Sequence, residues 1–162
     1  MSMIGARDNE QRSYMEFVDA LRRHGATAKR DVRELWRRIV FNILIANTDD
    51  HLRNHGFLYR GIDGWTLAPA FDLNPVPTDM RPRILSTAIN MEDSTGSIEL
   101  AYEVAAYFET WPAEARKIVR EVAKAVANWR KIAVEFGVAK REIDRMATAF
   151  EYPSSKAASA RV

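Results

Sequence analysis

The chain is 162 residues long with 47% hydrophobic and 28% charged residues, a globular balance that argues against disorder and suffices for one packed domain. Its 24 Lys and Arg against 22 Asp and Glu leave a formal charge of +2, too small to argue for direct nucleic-acid binding. No apolar run approaches the roughly 20 residues of a membrane span, Met1 to Glu10 has no signal-peptide core, and the lack of cysteine excludes disulfides and thiolate metal sites and suits a cytoplasmic protein.

In chain order, residues 1–12 are polar and read as a flexible lead-in. Tyr14, Phe17, Val18 and Leu21 recur at i, i+3, i+4, i+7, which predicts a short helix stopped near Gly25. Thr27 is a candidate cap for the next. That helix carries the most regular stripe in the chain, Val32, Leu35, Trp36, Ile39, Val40, Ile43 and Leu44, with Arg33, Arg37 and Arg38 expected on the wet side and its end near Ala46. Phe57-Leu58-Tyr59 and Trp65-Thr66-Leu67 flank Gly61-Ile62-Asp63-Gly64 and predict a β-hairpin. Pairing Arg60 with Trp65 would set Asn54 opposite Phe71, beside Asp72. Pro69, Pro75, Pro77 and Pro82 impose an irregular path, and 85–91 reads as a further strand. One helix is predicted from Ile98 to Phe108, and a long one from Pro112 to Gly137 bearing Ile118, Val122, Ala125, Trp129, Ile132, Ala133 and Phe136. Val138, Ile143, Met146 and Phe150 predict the last, before a flexible Ser/Ala-rich tail over 153–162. The fold class is mainly α with a small β-hairpin, in one domain over 13–152. The four tryptophans, Trp36, Trp65, Trp111 and Trp129, are expected in the core.

Between the second helix and the hairpin lies the run Asn47-Thr48-Asp49-Asp50-His51-Leu52-Arg53-Asn54, and after the hairpin Ala70-Phe71-Asp72-Leu73. An acid, an amide and a second acid at this spacing suit metal-assisted phosphoryl transfer, in which one Asp meets the attacking hydroxyl while an Asn and a later Asp hold Mg²⁺ against the nucleotide phosphates. Taken singly, Asp49 or Asp72 reads as a turn or cap residue. A His/Asp cluster of Asp49, Asp50, His51 and His55 would be the zinc alternative, although it has no Glu where a metalloprotease needs one. The cations Arg22, Arg23, Lys29, Arg30, Arg33, Arg37 and Arg38 suit the solvated faces of amphipathic helices, with an acidic partner or nucleic acid as the alternative.

The order N-T-D-D-H-L-R-N followed by F-D-L resembles the catalytic loop and metal-binding Asp of HipA-like serine/threonine kinases, toxin components of bacterial toxin–antitoxin systems. The resemblance covers about Tyr14 to Tyr152 and corresponds to the C-terminal half of such a kinase. It implies Asp49 as the residue that takes the substrate hydroxyl's proton, Asn54 and Asp72 as ligands of Mg²⁺ and its ATP, Arg53 as a cation near the transferred phosphoryl group, and His51 as a residue that holds the loop by a hydrogen bond. Asp50 takes no role beyond local charge. The resemblance also implies a protein substrate, an aminoacyl-tRNA synthetase for some members, and a DNA-binding antitoxin partner. No Gly-rich loop and no strand-borne Lys precede Asp49, and the 48 upstream residues read as helical. The ATP-covering N-terminal kinase lobe is therefore expected elsewhere, in the same or a separate chain, and little activity is expected from this chain alone. The reading from another class is a non-catalytic interaction module derived from a kinase lobe.

Overall fold

The computed structural model describes residues 4, 5, 7, 10, 12–77 and 83–152. Most of the lead-in and the tail over 153–162 lie outside the described residues.

Helix α1 (Tyr14–His24) begins where the sequence predicts, and its start is a reciprocal cap. The Ser13 hydroxyl accepts from the Met15 amide at 3.1 Å, and the Glu16 carboxylate accepts from the Ser13 amide at 3.2 Å. Helix α2 (Ala28–Leu44) follows after Thr27, whose hydroxyl donates to Asp31 at 2.9 Å instead of capping the backbone. Every residue of the predicted α2 stripe is buried, because α1, α3 (Ile98–Val104) and α4 (Pro112–Val126) pack around this one helix. Trp36 adds a directional tie, its indole N–H donating to the Ala101 carbonyl of α3 at 2.9 Å.

Strands β1 (Phe57–Tyr59) and β2 (Trp65–Leu67) form the hairpin, but the register differs by one from the expectation: Tyr59, not Arg60, faces Trp65. The cause is Gly64, at φ +103°, which closes the turn by accepting the Arg60 amide at 2.7 Å. A side chain at Gly64 would also strike the His24 carbonyl, so the turn is seated on the end of α1. Two α2 side chains hold the returning strand. Asp31 accepts the Leu67 amide at 2.9 Å, and Arg38 donates to the Ala68 carbonyl at 2.7 Å. Arg38 is therefore buried and not on the wet side, since Pro69 ends the ladder and leaves that carbonyl for a side-chain donor.

Downstream, no strand forms over 85–91. The amides there serve different partners, Ser86 bonding Thr48 and Ala88 bonding Arg12, so no continuous ladder can form. The predicted helix over 98–108 is α3 plus a tighter 3₁₀ turn from Ala105 to Phe108. The long helix breaks at Ala127–Asn128 into α4 and α5 (Trp129–Glu135), and α5 buries none of its residues. Ile132 and Phe136 are exposed, as is Trp111, against the expectation of core positions. Helix α6 (Lys140–Phe150) packs on α5 through Trp129 and Phe150, whose rings stack at 4.4 Å. The architecture is mainly α with one small hairpin, as the sequence predicts.

Candidate active site

Helix α2 delivers the polar loop. Ala46, at φ +52°, turns the chain out of the helix, and the Asn47 amide returns to the Asn42 carbonyl at 2.8 Å. Asp49 and Asp50 then take opposite fates. Asp49 is exposed, whereas Asp50 is 1% exposed. Three groups converge on Oδ2 of Asp50: the Tyr14 hydroxyl of α1 donates to it, the Asn42 amide of α2 donates at 2.8 Å, and Nε2 of His55 lies 3.0 Å away. The Thr87 hydroxyl donates to the Asp50 carbonyl at 2.7 Å, and Ser86 bonds the Thr48 carbonyl twice at 3.0 Å. A buried carboxylate is costly unless hydrogen bonds compensate it, and here Oδ2 gathers three polar partners. Burial, followed by the charge of Asp50 and its hydrogen bond, pushes the Tyr14 phenol well above its usual range, so Tyr14 stays a neutral donor.

Asp50 is thus a structural anchor, not the mere local charge the sequence suggested. Its partners lie 36 and 8 residues upstream and five downstream, beyond the reach of a motif. The signal that could have found them was Asn42, a polar side chain inside the most apolar helix. The loop-holding histidine is His55, seated between Tyr14 and Phe17 with ring centroids at 5.8 and 4.9 Å. The His51 ring, half-buried, makes no hydrogen bond among the described residues, and its Nδ1 is enclosed without a partner, so the expected tether through His51 is not formed there.

The remaining candidates lie around this anchor. Arg53 is exposed on a 3₁₀ turn from Leu52 to Asn54. Asn54 is buried, and its side-chain amide nitrogen faces the Asp49 carbonyl at 3.4 Å. Asp72 is exposed, with φ +56°, and accepts from the Asn74 amide at 2.5 Å. Its segment is held on both sides. The Phe71 ring lies against Gly56, two residues past Asn54, and the Val76 amide bonds the Ala46 carbonyl at 3.1 Å at the mouth of the loop. The hairpin therefore carries the chain bearing Asp72 back across the polar loop. Among the described residues no three His, Asp, Glu or Cys side chains are grouped to hold a metal.

A model of the HipA-like C-terminal domain matches residues 1–130. A Haemophilus influenzae protein named "Putative kinase" is 36% identical over 87 residues, covering 51% of this chain and 25% of that protein, so the match spans about a quarter of the relative's length. No helix among the described residues is long and apolar enough to cross a membrane. The chain belongs to the kinase-related family of HipA-like C-terminal domains.

Proposed function

We propose that this chain is the catalytic lobe of an ATP- and Mg²⁺-dependent serine/threonine protein kinase. The observation that carries the reading is the division between neighbouring aspartates: Asp50 is locked into the core by Tyr14, Asn42 and His55, so Asp49 is presented at the surface from a rigid base. A carboxylate held at an open surface can accept the substrate hydroxyl's proton as the oxygen attacks the γ-phosphorus of ATP and the bond to the ADP oxygen breaks. Fixing it in advance removes the cost of ordering it during the reaction.

The Asn54 amide oxygen and the Asp72 carboxylate are hard oxygen donors, the type Mg²⁺ takes, and one or two such groups suffice when phosphate and water supply the rest. Bound with ATP, the ion would neutralise charge on the phosphate oxygens. Arg53 offers a further cation beside the same loop. His51 sits within the loop but has no hydrogen-bonded role that supports assigning it a chemical step. The segment that covers ATP belongs to a lobe outside this sequence, and a protein substrate, a DNA-binding antitoxin partner and a cytoplasmic setting complete the reading.

The test is phosphate transfer from radiolabelled ATP to protein by the chain joined to a nucleotide-covering lobe. Activity should require Mg²⁺ and vanish in Asp49→Ala, while the chain alone transfers negligible phosphate. Full activity of Asp49→Ala in the joined protein refutes the assignment, and robust turnover by the chain alone refutes the need for a second lobe.

A further inference from the structure

The N-terminal half of α2, the hairpin and α4 enclose an open cleft of about 1090 Å³ that includes none of the proposed catalytic residues. Lys29, Arg33 and Arg37 recur every four residues and so form a row about 12 Å long on one side of α2. Two of them brace the wall against α4, with Arg33 3.5 Å from Glu114 and Arg37 2.9 Å from Glu121. Lys29, the third of the row, and Arg60 of the hairpin are available. Lys29 has no ion pair among the described residues, and the Arg60 guanidinium makes one hydrogen bond there, to the Thr66 hydroxyl at 3.3 Å. Among the described residues Arg30 pairs with Asp31 alone, at 3.3 Å, and that carboxylate already accepts from Thr27 and from the Leu67 amide.

Among the described residues seven cationic side chains line the cleft against four carboxylates, a local excess in a chain whose net charge is only +2. Apolar side chains interrupt the charge: Leu58, which is half-exposed, together with Leu67, Pro69 and Ile118. We propose that this cleft binds an acidic peptide segment of a protein partner, its carboxylates meeting Lys29, Arg30 and Arg60 and an apolar side chain resting on Leu58.

The lining favours a peptide over a nucleic acid on two counts. The four carboxylates would repel an unbroken run of phosphates, whereas a peptide carries its charges singly and can leave a gap opposite each one. Among the described residues no aromatic ring lines the cleft, so bases would find no stacking platform there. The cleft does not depend on Asp49 being catalytic, so failure of one reading leaves the other standing.

The experiment is a fluorescence-anisotropy titration of the full chain with a short labelled peptide of Asp, Glu and Leu. Binding should saturate and weaken with added salt. Reversing both available charges, Lys29→Glu with Arg60→Glu, should lower affinity roughly tenfold, Arg30→Glu alone should lower it several-fold, and Arg23→Glu on α1 should leave it unchanged. Because neither Lys29 nor Arg60 has a carboxylate partner among the described residues, the double variant should melt like the parent by circular dichroism. Unchanged affinity in the double variant and in Arg30→Glu overturns the proposal. Tighter binding of a mixed-sequence oligonucleotide that displaces the peptide overturns it in favour of nucleic acid.

Discussion

Tyr14 and Asp50, 36 residues apart, share a buried hydrogen bond that fastens the first helix to the polar loop. Asn42 and His55 bond the same carboxylate oxygen, so the anchor joins α1, α2 and both halves of the loop. Asp50→Ala should cost about 3–5 kcal/mol, because it strands three buried polar groups at once. Asp50→Asn should cost less, since it keeps an oxygen for two donors. Urea unfolding of the two variants checks the order, and equal losses would mean that the anchor works by shape alone.

Two buried phenols predict an alkaline weakness. Tyr152, whose hydroxyl donates to the Ile43 carbonyl, is pushed by burial to about 12 despite the Arg83 guanidinium over its ring, and Tyr14 is raised as well. Below pH 10 both folded and unfolded chains keep these protons, so stability does not change. Between 10 and about 12 the unfolded chain sheds protons that the fold retains, so stability falls with rising pH. The two-unit span for Tyr152 corresponds to about 2–3 kcal/mol. In Tyr152→Phe the slope of unfolding free energy against pH above 10 should flatten, and an unaltered slope would contradict the assignment.

Backbone geometry decides how Asp72 should be tested. At φ +56° it occupies the left-handed region, which Asn tolerates and Ala does not. Asp72→Asn should therefore abolish Mg²⁺-dependent transfer in the joined protein while leaving stability within ~0.5 kcal/mol. Asp72→Ala should lose activity and about 1 kcal/mol of stability together. Thermal melts beside activity assays separate the two, and an active Asp72→Asn would remove the carboxylate from the metal site.

The platform under the loop can be weakened without touching its chemistry. Ile43 is 1% exposed within the α2 stripe, and Ile43→Ala should cost ~2–5 kcal/mol. In the protein joined to a nucleotide-covering lobe, activity of the fraction that remains folded should match the parent below the melting transition. A loss of activity that exceeds the loss of folded protein would show that Ile43 tunes the loop as well as supporting it.

The α2 stripe was legible because burial on one helix face repeats every 3.6 residues, and all seven of its predicted positions are buried. The same rule overran at α5, where Ile132 and Phe136 continue the spacing although the helix has already broken at Asn128 and nothing covers them among the described residues. Periodicity reports which residues share a face, not whether a partner meets that face. The hairpin was legible from its flanking runs, but its register turned on Gly64 closing the turn, a backbone preference that the apolar pattern does not encode. The polar loop stood out as a motif, yet Asp49 and Asp50 look alike in it. What separates them is convergence from Tyr14, Asn42 and His55, and such contacts between distant residues leave no local trace.

The anchoring of Asp50 by Tyr14 also sets when the loop can open. Local fluctuations that free the loop must break a buried carboxylate's bonds to two helices, which couples opening of the loop to the start of α1. In hydrogen exchange, the amides of Asn47 and Asn54, bonded to Asn42 and His51, should exchange in step with those of α1 and not with the exposed turn at Ile62. The loop and the first helix then behave as one cooperative unit, and any cleavage that severs α1 from the chain would release both.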